Sequence, residues 1–71
     1  MNNTPAQSME FLGKIYLYCL TWLRKHPGEN PDAERIAREI DALVKGARPG
    51  TPIDAIELLY DLLKTIRPEL F

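Results

Sequence analysis

Two side chains in this 71-residue chain have the type that nucleophilic catalysis needs: Cys19 and His26, its single cysteine and single histidine. A thiol nucleophile requires a base within hydrogen-bond reach. Cys19 and His26 are two helical turns apart in sequence, which sets them roughly 10 Å apart along a helix axis. That spacing rules out a dyad within one chain. Cys19 lies in the middle of an apolar run (Ile15 to Leu23, broken by Thr21), where a free cysteine behaves as a small inert hydrophobe. His26 ends the same segment and is expected to interact with the last helical carbonyls.

Asp54, Glu57 and Asp61 are the other candidates, because carboxylates stacked along one helix side can hold a divalent ion or share a proton. Lys64 follows one turn later, and the strip is the most polar part of its segment. A solvated face with acids at the positive helix end accounts for it. Gly46 and Gly50 are not followed by the Gly-Lys-Ser/Thr of a phosphate-binding loop. The expectation is a protein without catalytic residues, metal or cofactor, and without a small-molecule substrate.

The elements that position these residues are legible from their punctuation. Thr4-Pro5, Asn30-Pro31 and Thr51-Pro52 each read as an N-cap followed by proline in the first turn, where its missing N–H costs nothing. Gln7 and Asp54 stand three residues after two of these caps and can reach back to complete a capping box, although Asp is a weaker match than Glu or Gln. Pro27-Gly28, Gly46 with Pro49-Gly50, and Pro68 mark the ends. The spacing predicts an all-α fold, a small bundle of about three amphipathic helices at 5–26, 31–46 and 52–67. It forms a single domain over 1–71, with a short flexible N-terminus at 1–3 and a C-terminal tail at 68–71.

A chain this short has a marginal core. With one cysteine, no disulfide can reinforce it, and the composition points to a reducing, cytoplasmic setting. A net charge of −1 gives no general attraction to nucleic acid or anionic lipid. Helix three used as a recognition helix would bring Asp54, Glu57, Asp61 and Glu69 toward phosphate. The apolar run is far short of the roughly 20 residues that span a bilayer. Nucleic-acid association, or a peripheral membrane role for helix one, is therefore the alternative and not the leading reading.

At 100° per residue, helix two has a narrow apolar seam of Ala33, Ile36, Ala37, Ile40, Leu43 and Val44. Its other faces carry Glu34/Arg38, Arg35/Glu39 and Asp41/Lys45 as i,i+4 pairs. Helices one and three differ: each has an apolar arc of roughly 200°, twice the ~100° that a core-facing helix uses. Leu17 falls on the polar side of helix one beside Glu10, Lys14 and Thr21. Gly13 costs about 1 kcal/mol in a helix interior. Three helices have too little surface to cover both arcs. The expected function is therefore a small non-catalytic protein–protein interaction module, an adaptor, chaperone subunit or inhibitor acting by occupancy. It is expected to self-associate as a homodimer, to dock on a larger protein, or both, through the apolar surfaces of helices one and three. Tyr16, Leu17, Tyr18, Trp22, Leu58, Leu62 and Phe71 are the candidate partner-binding residues, since Trp and Tyr dominate such interfaces.

Overall fold

A computed structural model describes residues 5–71, with side chains from Glu10 onward. Three helices follow in order, α1 (Pro5–Lys25), α2 (Pro31–Val44) and α3 (Pro52–Ile66), and a 3-10 turn at Pro68–Leu70 closes the chain. The described residues contain no strand. The expected all-α bundle is present, with each C-terminus one or two residues earlier than the spacing suggests.

The polar–proline caps work as the sequence requires. Asn30 Oδ1 accepts from the Ala33 N–H at 3.1 Å. At α3 the box is complete: the Asp54 N–H donates to Thr51 Oγ1 at 3.3 Å, and the Thr51 N–H donates to Asp54 Oδ2 at 2.8 Å. Aspartate is thus long enough to close the box here. The Thr4 cap and Gln7 lie outside the described residues and side chains. Gly28 and Gly46, with φ of +75° and +76°, occupy the left-handed region that turns the chain after α1 and α2. α3 stops at Ile66 because Arg67 precedes Pro68 and leaves helical geometry (φ −130°, ψ 68°).

The bundle runs up, down, up. The Asn30 side-chain amide donates to the Thr65 carbonyl at 3.4 Å, joining the start of α2 to the end of α3. Leu43, at the other end of α2, lies over Gly50 just before α3. α1 runs parallel to α3, with Tyr18 against Arg67. α2 packs most closely on α3, and α1 leans chiefly on α3.

Core membership follows this arrangement. α2 buries Ala33, Ile36, Ala37 and Ile40 at i, i+3, i+4 and i+7, and α3 buries Leu59, Leu62 and Ile66. Among the described side chains, α1 contributes Cys19 alone to the fully buried set. With 21 residues against 14 in α2, α1 is roughly 10 Å the longer helix. The molecule measures 39 × 29 × 19 Å, so its thin dimension is about two helix diameters. That flatness leaves one side of α1 without a neighbour.

Three details of α2 and its flanks differ from the sequence reading. Val44 belongs to the apolar seam by periodicity but is 71% exposed, because it is the last residue of α2 and edges an open groove whose far wall is Leu12, Gly13 and Tyr16 of α1. Arg35–Glu39 and Asp41–Lys45 pair at 3.7 and 3.0 Å. Glu34 instead accepts from the Gly28 backbone N–H at 2.8 Å, fastening the turn before α2. His26 does not cap carbonyls with its ring: Nδ1 meets Glu29 Oε2 at 2.6 Å while the ring stacks on Trp22.

Candidate interaction surface

Where α1 diverges from the α2–α3 pair, the chain leaves an apolar groove of about 390 Å³. Leu12, Gly13 and Tyr16 form its α1 wall, Leu43 and Val44 the α2 wall, and Ala55, Ile56 and Leu59 lie on the α3 side. Polar groups are scarce in it. The Tyr16 hydroxyl titrates above the usual tyrosine range because burial disfavours the phenolate and Asp41 adds to the effect.

A second uncovered region lies along the flanks of α1 and α3. Phe11, Leu17 and Tyr18 are exposed on α1, Ile53 and Tyr60 on α3, and Leu70 and Phe71 beyond it. Two of these have partners. The Arg67 guanidinium donates to the Tyr18 hydroxyl and also to Glu69 at 2.5 Å, and that contact holds the Glu69 carboxyl below its usual range. Lys64 Nζ stands 5.6 Å from the centre of the Phe71 ring, a cation–π distance.

The seven candidate binding residues divide between surface and interior. Leu17 is 60% exposed, and Tyr18 and Phe71 are also on the surface. Tyr16 and Trp22 are half-buried, one in the groove wall and the other under the His26 ring at 4.2 Å between centroids. Leu58 is half-buried and packs against the core. Leu62 is a correction: with 0% of its surface exposed it is the largest fully buried side chain and cannot meet a partner. It belongs to the core cluster with Cys19 of α1 and the α2 seam, a division of the wide arc that periodicity alone does not make. Phe11, Val44, Ile53, Tyr60 and Leu70 are exposed residues that the choice of anchors omitted, although all but Val44 lie in the wide arcs or the tail.

The groups that could do chemistry are placed otherwise. Cys19 is fully buried, and burial pushes its thiol up to about 11, the opposite of nucleophile activation. Asp54 is held below its ordinary value first by the Thr51 backbone N–H and then by the Thr51 hydroxyl, so it serves the cap. Among the described residues, no three His, Cys, Asp or Glu side chains are grouped to hold a metal ion. No described helix is long and apolar enough to cross a membrane. Compared with protein-family models, with curated proteins and with solved structures, the chain matches none.

Proposed function

We propose that this chain is a small protein-binding module that acts by occupying another protein's surface, a second copy of itself included. The observation that carries the reading is the balance of apolar side chains. Eight large apolar residues are exposed among the described ones, including Phe11, Leu17, Val44 and Ile53, against a core of eight buried residues of which two are alanines. Scattered exposed leucines are ordinary. A small bundle with this much uncovered, on α1, α3 and the C-terminal turn, with Val44 of α2 at the edge of the groove, fits a docking surface. The lone buried thiol suits the cytoplasm, where the module would work.

The test is molar mass by light scattering across a dilution series with helicity followed in parallel, alongside capture of partners on the immobilised chain. Wild type should self-associate or capture a partner, and Leu17→Asp and Tyr60→Lys should weaken that association while helicity is kept. A monomer at every concentration whose captures are the same as those of the two variants would overturn the reading.

A further inference from the structure

We infer that the partner is a second copy of this chain, docked through the outer stripe of α1 in an antiparallel, two-fold arrangement. This rests on the protein-binding reading and specifies its partner. Glu10, Gly13, Leu17, Leu20 and Arg24 recur in α1 at alternating steps of three and four residues, the a/d spacing of a helix–helix seam. Glu10, Gly13, Leu17 and Arg24 are exposed, and Leu20, half-buried against the core, forms the inner edge of the stripe. Two features of this stripe have no use within the monomer. Gly13, at the edge where this stripe meets the groove, weakens the helix, yet a Cβ there would meet nothing within 4 Å, so no internal close approach requires it. Leu17 stands 60% exposed on the polar side.

An antiparallel pairing joins these two features. In a two-fold contact, if residue i meets j then j meets i. Centring the axis between Gly13 and Leu17 lays each Leu17 over the bare backbone of the partner's Gly13. The charges are self-complementary in the same register. Arg24 comes within about 6 Å along the axis of the partner's Glu10, a distance an arginine spans. A parallel pairing would set Glu10 beside Glu10 and Arg24 beside Arg24. Thr21, on the edge of the stripe, already donates to the Leu17 carbonyl at 2.8 Å, so covering it strands no hydroxyl.

Sedimentation equilibrium from micromolar to millimolar chain tests this. Wild type should dimerise. Gly13→Gln and Leu17→Gln should each raise the dimer Kd about tenfold or more at unchanged or higher helicity. Glu10→Arg and Arg24→Glu should each weaken the dimer, and the double swap should restore it. A monomer throughout overturns the inference, and the protein-binding reading then stands or falls on capture of another protein. A dimer indifferent to the Gly13 and Leu17 variants places the self-interface elsewhere. A dimer lost in those variants but untouched by the single charge swaps overturns the antiparallel register.

Discussion

Trp22 stacks on His26 with ring centroids 4.2 Å apart and planes inclined by 24°. The indole is thereby held against the core by a residue that has already left α1. Glu29 fixes the other edge of the imidazole through Nδ1 at 2.6 Å, so the turn between α1 and α2 is built on one aromatic pair and two acids, Glu29 here and Glu34 at the Gly28 N–H. His26→Ala should cost about 0.5–1.5 kcal/mol through loss of the stack and expose Trp22. Chemical denaturation and a red-shifted Trp22 emission check this, and Glu29→Gln should reproduce only a small part of the loss.

The Thr51–Asp54 box makes α3 acid-sensitive. Thr51→Ala removes the cap and should cost about 1 kcal/mol. Asp54 has its folded pKa depressed by the Thr51 N–H and hydroxyl. Its contribution is therefore present above the ordinary aspartate value and is lost as the pH falls through the lower folded one. Unfolding curves of wild type and Asp54→Ala should differ at neutral pH and begin to converge only as the pH falls below the ordinary aspartate value of about 4. A gap that persists unchanged into acid would mean the carboxylate does not act through its charge.

Most of the fold was legible because it depends on local chemistry. The Asn30 and Thr51 caps, the glycines at 28 and 46 and the proline at 68 each act over a few residues, and the helices they bound begin and end within three residues of them. α2 was also legible, since a narrow seam can face only one way. The surface was harder to read. On a 200° arc, Leu62 and Tyr60 both count as apolar, and only the placement of the other two helices decides that Leu62 is buried and Tyr60 is not. Val44 was misassigned for the same reason, since periodicity carries no information about where a groove stays open between neighbouring helices. The Arg67 bond to Tyr18 spans 49 residues and leaves no local signal.

The placement of Leu62 separates core from surface experimentally. Leu62→Ala should cost about 2–5 kcal/mol, much of the ~4–10 kcal/mol that a domain this small has in total. Helicity should fall with it, and any loss of association would follow from unfolding. Leu17→Asp should show the opposite pattern, weakening association with the thermal midpoint of the monomer nearly unchanged.

Three glycines should respond with different signs to the same substitution. Gly28→Ala and Gly46→Ala force an alanine to φ near +75° and should each cost about 1–2 kcal/mol. Gly13→Ala places a methyl in open space on a regular helix and should stabilise the monomer by up to about 1 kcal/mol. Denaturation at concentrations too low for self-association isolates these backbone effects. A destabilised Gly13→Ala monomer would mean that α1 needs flexibility at that turn.

Cys19 gives the chain an alkaline limit. The folded thiol titrates at about 11 against an ordinary 9.0, so the unfolded chain releases its proton first. Above about pH 9 the native state binds more protons than the unfolded one, and stability falls as the pH rises until both are ionised near 11. Tyr16, also raised by burial, acts in the same direction. Cys19→Ala should therefore lose less stability than wild type over that interval, whatever its difference at neutral pH. Cys19→Ser should be worse than either at neutral pH, by about 1–3 kcal/mol, because it puts a hydroxyl in an apolar site. In the folded protein the thiol should react with alkylating reagents only as fast as the bundle opens, so labelling should accelerate with denaturant in step with unfolding. A thiol that labels rapidly in the native state would mean that α1 separates from α3 far more readily than its packing implies.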